Sequence, residues 1–224
     1  PTAAIQNNGP AGEGDPVAVS FTNQFDPSIA DTLAGFHYSF GLSPLELAGT
    51  YQEAGVGAAT NFTFADNGTY IIYGRIFDKD DQYTETSTTI TVHNVLSEVT
   101  AAANQPGTEG TEALFHLGSL NDRGVNDGPW TVEVNWGDGS GITSFQVASL
   151  GQLPDKEHTY ADSASAPAAG WTVTVQATDK DGGTGVDSFL VTIFNAAPSV
   201  DAGADMQVGS GNPVNILASF VDPG

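Results

Sequence analysis

The chain contains no cysteine, and its 224 residues include only 5 lysines and arginines against 27 aspartates and glutamates. Without cysteine it can form neither a disulfide, nor a zinc site built on thiolates, nor a thiol nucleophile. Its formal net charge of -22 repels nucleic acids and anionic membranes, which are bound by basic patches. No apolar run approaches the ~20 residues that span a bilayer. The composition therefore predicts no nucleic-acid partner and no membrane insertion, and it favours cations as ligands.

The motifs of common catalytic sites are also missing. The four histidines, His37, His93, His116 and His158, do not have the spacing of a metal-binding motif such as HExxH. The chain has no GxSxG nucleophile elbow. Pairs of carboxylates are abundant, but a chain this acidic produces such pairs by chance, and they are poor support for glycosidase chemistry. The sequence predicts that the protein is not an enzyme.

What the sequence does contain is internal repetition. The segment FTFAD from Phe62 recurs as HTYAD from His158, and the DKD of Asp78 recurs at Asp179. EGDPVAVSF from Glu13 recurs as EGTEALFHL from Glu109, and a third time within SGNPVNILASFVDPG. The extra residues of the second copy fall in the small-residue loop SASAPAAG. We predict a first repeat over 1–95, a second over 96–196, and the first strands of a third, incomplete repeat over 197–224.

Within each repeat, apolar and polar residues alternate with a period of two. Trp171, Val173, Val175 and Ala177 alternate with threonine and glutamine, which is typical of a strand with one buried face. Similar runs are Val17–Phe21, Phe36–Phe40, Tyr70–Phe77, Thr88–Val92, Leu114–Leu117, Thr131–Trp136 and Phe189–Phe194. No stretch sustains a helical stripe. Short strands at this spacing, in units of about a hundred residues, predict an all-β chain of tandem immunoglobulin-like sandwiches.

The segment WGDGS after Val134-Asn135 could be either a phosphate-binding loop or the end of a strand. A phosphate loop needs a following helix and usually a lysine, whereas here the β-like run ITSFQVASL follows. Glycine tolerates positive φ, and aspartate bonds to its own backbone, as turns require. We interpret Trp136 as the core-facing end of a strand and Gly137-Asp138-Gly139 as the turn after it.

The set WGDGS, HTYAD and WTVTVQATDKDGG resembles the PKD-type (polycystic-kidney-disease-like) repeat, an immunoglobulin-fold module of polycystin ectodomains and of large microbial surface proteins. The first repeat departs from the motif, with Tyr38-Ser39-Phe40-Gly41 and Phe62-Thr63-Phe64 at the corresponding positions. The resemblance implies a spacer, adhesion or assembly module, rarely a catalyst, that is secreted or on the cell surface. It also implies a structural hydrogen bond for His158.

Acidic loops are the candidate ion sites. Those after the predicted sixth strand of each repeat contain Asp78, Asp80, Asp81, Asp179 and Asp181. Those after the second strand contain Asp26, Asp31, Asp122 and Asp127. In an immunoglobulin-like sandwich these two loops share one end, which in the second repeat would face the joint at Asn94. Clustered oxygens suit Ca²⁺, which would stiffen the joint. The alternative is that DKDG is an ordinary turn whose aspartates are merely solvated.

Two apolar groups are candidate interfaces. Alternation places Ile71, Tyr73 and Phe77 on the outer face of one strand, where either a loop over Leu42–Leu47 or another chain would cover them. A strand over 214–220, with Val214, Ile216 and Phe220, has no complete sheet to join. It belongs either to an excerpt of a longer repeat array or to a strand that adds to an identical chain.

Three functions from different classes follow. The first is a rod-like structural array of a cell-surface, adhesin, surface-layer or filament protein, whose partners are neighbouring repeats and identical chains. The second is an accessory polysaccharide- or protein-binding module of a secreted hydrolase. It would need exposed aromatic rings, for which Trp130 and Tyr83 are the candidates. The third, an enzyme with a site on loops, has only the unpatterned carboxylates in its favour. Asn61 and Asn67 are formal glycosylation acceptors.

Overall fold

The computed structural model describes residues 1–163 and 170–224. These form two compact units. The first unit consists of Pro1–Leu96 with Asp122–Gly128, and the second of Ser97–Asn121 with Pro129–Gly224. The predicted SASAPAAG insertion lies mostly at 164–169, outside the described residues.

The first unit is built from seven strands, one short helix and one 3-10 turn. In chain order these are β1 (Thr2–Asn7), β2 (Ala11–Gly12), β3 (Pro16–Phe25), α1 (Ile29–Ala34), β4 (His37–Gly41), the 3-10 turn Pro44–Glu46, β5 (Ala59–Thr63), β6 (Gly68–Phe77) and β7 (Tyr83–His93).

Two sheets of the first unit enclose its core. One has the order β1-β3-β5 and the other the order β2-β7-β6-β4. Strand β3 buries every second side chain, so Val17 and Val19 face inward and meet Ile72 and Ile90 of the other sheet. The period of two in the sequence is therefore the period of burial.

Helix α1 was not expected from the sequence. Its N-cap is Ser28, whose side chain accepts a hydrogen bond from the Asp31 amide, as N-cap residues do. The helix has six residues and buries none of them, so Ile29 and Leu33 are exposed. A helix this short, with no buried face, leaves no apolar stripe for a periodicity argument to detect.

The described residues of the second unit form twelve strands. They are β8 (Glu98–Ala101), β9 (Gln105–Thr108), β10 (Ala113–Phe115), β11 (Gly118–Asn121), β12 (Trp130–Asn135), β13 (Thr143–Val147), β14 (Gly151–Gln152), β15 (Lys156–His158), β16 (Trp171–Thr178), β17 (Thr184–Phe194), β18 (Ser199–Asp201) and β19 (Ser219–Val221).

The main sheet of the second unit has the order β13-β12-β16-β17-β9, and β14-β11-β8 and β10-β15 form smaller sheets. Strand β9 pairs with β17 in parallel, and the other ladders of this unit are antiparallel. Trp130, Trp136 and Phe115 are buried in its core beside Val173 and Val175. The unit thus has a larger and more aromatic core than the first.

The strand predicted over 214–220 is wrong in its extent. The ladder that forms joins Ser199–Asp201 to Ser219–Val221, so most of the predicted span lies outside a strand. A strand needs a neighbour for its backbone hydrogen bonds, and this hairpin finds one for only three residues. Val214, Ile216 and Phe220 are 44%, 72% and 74% exposed.

The chain is therefore all-β, and its two units are sandwich-like, as predicted. Within the described residues, neither of the short helical segments is long and apolar enough to cross a membrane.

Candidate functional site

The predicted WGDGS turn and HTYAD segment meet in the second unit. His158 Nε2 lies 2.8 Å from Asp138 Oδ2, and the His158 ring stacks on Trp136 with centroids 4.4 Å apart and planes at 1°. Tyr160 donates its hydroxyl to the Trp136 carbonyl at 3.1 Å. Gly137 has a φ of 83°, and the Asp138 side chain accepts from the Ser140 amide. The structural hydrogen bond of His158 and the turn at Gly137-Asp138-Gly139 are confirmed.

This network is mostly buried in the second unit. The side chains of His158 and Asp138 are only 12% and 11% exposed, and Trp136 is 1% exposed. Burial by itself raises the pKa of Asp138, but its hydrogen bonds from Ser140 and its pairing with His158 outweigh burial and hold the pKa below its usual range. These contacts hold the turn that follows β12 against strand β15.

The DKD loops form matching turns in the two units. Asp78 Oδ1 accepts from the amides of Asp80 and Gln82 at 2.9 and 3.1 Å. Asp179 Oδ1 accepts from the amides of Asp181 and Gly183, both at 2.8 Å. The first aspartate of each loop is therefore an Asx-type turn residue, which supports the ordinary-turn alternative for these two side chains.

In the first unit, three loop aspartates come together. Ligand oxygens of Asp26, Asp31 and Asp78 all lie within 4.8 Å of one another. A protein cation already contacts one of them, because Lys79 Nζ is 2.8 Å from Asp31. The hydrogen bond from Lys79 is the main cause that lowers the pKa of Asp31.

Several of the other predicted ion ligands have polar partners within their own unit. Asp80 pairs with Lys79 at 2.5 Å. Asp81, at a positive φ of 66°, accepts from the Tyr51 amide. Asp181 pairs with Lys180, and Asn94 is half-buried directly after β7.

Asp122 and Asp127 are buried, and the loop that carries them groups with the first unit. Asp127 lies beside two acids that were not predicted as ion ligands, Glu13 and Asp66. The available signal was the repeat itself, because each acid recurs in the second copy, as Glu109 and Asp162.

The predicted interface residues on β6 differ in exposure. Ile71 is 47% exposed, whereas Phe77 is fully buried and packs on the Tyr83 ring at 5.4 Å. Phe77 is therefore not a surface residue, contrary to the alternation argument. Beside it, Arg75 donates to the Ala48 carbonyl at 2.9 Å, whereas Leu45 of the proposed covering loop is 96% exposed.

The aromatic residues expected at a polysaccharide site are not arranged as one. Trp130 is 1% exposed, so the expectation that it is a surface residue is wrong. It is the first residue of β12, and the inward alternation that buries Val132 and Val134 begins with it. Tyr83 is 50% exposed, with the Arg75 guanidinium 4.7 Å above its ring.

No family model and no curated protein matches the chain. Among solved structures, the fibronectin(III)-like modules of Clostridium thermocellum CbhA are 16% identical, over 85% of this chain and 94% of theirs, with a TM-score of 0.29. The insect immune protein hemolin is 10% identical, over 85% and 46%, with a TM-score of 0.43. Drosophila N-cadherin EC1-4 is 17% identical, over 86% and 50%, with a TM-score of 0.35.

With TM-scores below 0.5, these likenesses carry no argument about fold or function. The all-β, sandwich-like architecture follows from the strand order of the sheets themselves. The finer resemblance to PKD-type repeats stays a prediction.

Proposed function

We propose that this chain is a non-catalytic extracellular structural module, a tandem repeat of a cell-surface, adhesin, surface-layer or filament protein. One observation carries the proposal: the strongest polar motif of the sequence is used to hold the sandwich together. Asp138 and His158 bond to each other beneath Trp136, so they are not presented to a substrate. Function in such a module resides in its surfaces and joints.

The proposal includes calcium as the ion that stiffens the array. The net charge of -22 makes self-repulsion the main electrostatic cost of bringing acidic loops together. Calcium takes six to eight oxygen ligands and neutralises such clusters. The partners in this proposal are neighbouring repeats, and identical chains that add strands at the exposed residues Val214, Ile216 and Phe220.

Sedimentation velocity in millimolar Ca²⁺ and in chelator tests this proposal. A monomer that becomes more elongated and less variable in shape with Ca²⁺ is the result expected for a metal-stiffened array. Concentration-dependent larger species would support self-assembly, and their loss in the Ile216→Asp variant would assign them to the exposed strand. An unchanged monomer in both buffers would contradict both the calcium and the self-assembly parts.

The alternative, an accessory polysaccharide-binding module, has lost its main candidate because Trp130 is buried. Retardation of the chain in gels containing soluble polysaccharides would revive it, and loss of that retardation in Tyr83→Ala would locate the site.

A further inference from the structure

Glu13 is a buried carboxylate with an unsatisfied oxygen. It lies between β2 and β3 and is 0% exposed. Its Oε2 accepts a hydrogen bond from the Val95 amide at 3.2 Å, whereas its buried Oε1 has no hydrogen-bond partner. A carboxylate removed from water on both oxygens and bonded on only one is costly unless a positive ligand compensates it.

Two further carboxylates point to where that ligand would lie. Ligand oxygens of Glu13, Asp66 and Asp127 all lie within 4.8 Å of one another. Asp127 is fully buried like Glu13, and Asp66 is half-buried. Three acids therefore converge on one small volume, two of them shielded from the solvent that would screen them.

The loop that supplies Asp127 is shaped around this volume. A methyl group on Gly124 would collide with the carboxylates of both Glu13 and Asp127, so any larger residue would require those carboxylates to move. Asp122 accepts from the Gly124 amide at 3.0 Å, and Asp127 donates its amide to the Gly124 carbonyl at 2.9 Å. The loop is held in the conformation that turns Asp127 toward Glu13.

The electrostatics agree with this geometry. Burial first, and then the neighbouring Asp127 and Asp122, raise the pKa of Glu13 to about 7. Carboxylates held this close repel one another unless a proton or a cation lies between them.

We propose that Glu13, Asp66 and Asp127 form a binding site for a divalent cation of the calcium class. Calcium binds oxygen at about 2.3–2.6 Å, so two ligands of one ion can be up to roughly 5 Å apart. The observed spacing satisfies that limit without rearrangement. The donor set contains only oxygen, which suits calcium better than zinc. This inference deepens the calcium part of the proposed function, since neither Glu13 nor Asp66 was a predicted ligand.

A bound ion would also fasten the loop Asp122–Gly128. Besides Asp127, this loop contacts the first unit through an Arg123–Asp15 ion pair at 2.9 Å and an Asn126 amide bonded to the Ala65 carbonyl at 3.3 Å. The ion pair is exposed to solvent, and exposed ion pairs contribute little stability. The ion would add an attachment at the buried end of the loop.

The second repeat contains a residue that serves as a matched control for Glu13. Glu109 stands at the position of Glu13 in the second copy and is also buried, at 2% exposure. Its Oε1 accepts from the Ala196 amide at 2.9 Å and its Oε2 from the Ser163 amide at 3.0 Å. Because both of its oxygens are bonded, Glu109 does not have the unsatisfied oxygen that defines the proposed site.

The test is calcium titration calorimetry on the whole chain and its Glu13→Gln, Asp66→Asn and Glu109→Gln variants. We expect Glu13→Gln and Asp66→Asn each to weaken the tightest calcium site at least tenfold, and Glu109→Gln to change it less than threefold. Asp66 is half-buried, so its variant keeps the test valid if Glu13→Gln fails to fold. Unchanged calcium affinity in a folded Glu13→Gln or Asp66→Asn variant would overturn the inference but leave calcium at the other acidic loops possible.

Limited trypsin digestion gives an independent readout at Arg123, because the Arg123–Gly124 bond lies inside the loop. We expect calcium to slow this cleavage in the wild-type chain and in Glu109→Gln, but not in Glu13→Gln. Equal cleavage with and without calcium would overturn the inference. A wild-type chain that binds no calcium in the millimolar range would overturn it together with the calcium part of the proposed function, leaving the structural role to be judged by sedimentation.

Discussion

Replacing His158 with alanine tests whether the WGDGS–HTYAD contact stabilises the second unit. The change removes a 2.8 Å contact between His158 Nε2 and Asp138 Oδ2 and a ring stacked at 4.4 Å on Trp136. Leaving a mostly buried acceptor unpaired costs about 1–3 kcal/mol, and an aromatic pair contributes about 0.5–1.5 kcal/mol. We therefore expect the variant to lose about 2–4 kcal/mol of the free energy of unfolding.

Urea unfolding followed by tryptophan fluorescence measures this loss selectively. Trp130, Trp136 and Trp171 are the 3 tryptophans of the chain, and all belong to the second unit. The control is His116→Ala, since His116 Nδ1 also lies 2.8 Å from an aspartate, Asp155, but its side chain is 66% exposed. The control should lose no more than about 0.5 kcal/mol. Equal losses in the two variants would refute the reasoning that burial gives the His158 contact its strength.

The pH dependence of the same contact follows from Asp138. Its pKa is lower in the folded chain than in the unfolded chain. Its contribution is therefore fully present above the unfolded value, about 3.9, and is lost as the pH falls through the lower folded value. The stability difference between the wild-type chain and Asp138→Asn should accordingly shrink below about pH 4. If this stability difference stays constant or grows as the pH falls, the predicted direction of the pH dependence is wrong.

Two further predictions concern one residue in each unit. Gly137 and Gly139 share a φ of 83°, but a methyl group would strike the Thr172 carbonyl only at Gly137. Gly137→Ala should therefore cost about 2–4 kcal/mol and Gly139→Ala only about 1 kcal/mol in the tryptophan-monitored unfolding, and similar costs would contradict the clash. Arg75→Ala removes an ion pair with Glu85 at 2.8 Å and a hydrogen bond to the Ala48 carbonyl. It should cost the first unit about 1–2 kcal/mol by circular dichroism without moving the tryptophan transition, and a shift of that transition would count against this assignment.

The sequence predicted most of the strands because burial alternates along them. Strand β16 follows its apolar pattern almost residue for residue. The same rule failed for Phe77, which alternation placed on the outer face but which is buried against Tyr83 at the end of β6. Trp130, at the start of β12, obeys the rule, because it shares the buried side of that strand with Val132 and Val134.

The candidate ion site was only partly predictable. Asp127 was found because it belongs to an acidic loop. Glu13 and Asp66 lie in the short segments EGD and FAD, which match no ion-binding motif, and they meet Asp127 only through the fold. Residues this far apart in the sequence form no short motif from which a binding site could be predicted. The recurrence of each acid in the second repeat was the sequence signal from which they could have been identified.

Pulling single molecules of the chain between two handles tests the central claim, that it is an array of separately stable sandwich units. The account predicts two discrete unfolding events, each lengthening the chain by roughly 30 nm, as expected for about a hundred extended residues at about 3.3–3.6 Å each. In Ca²⁺ the force of one event should rise, and that rise should vanish in Glu13→Gln and persist in Glu109→Gln. Extension without discrete events at low force, in Ca²⁺ as well as in chelator, would contradict the account.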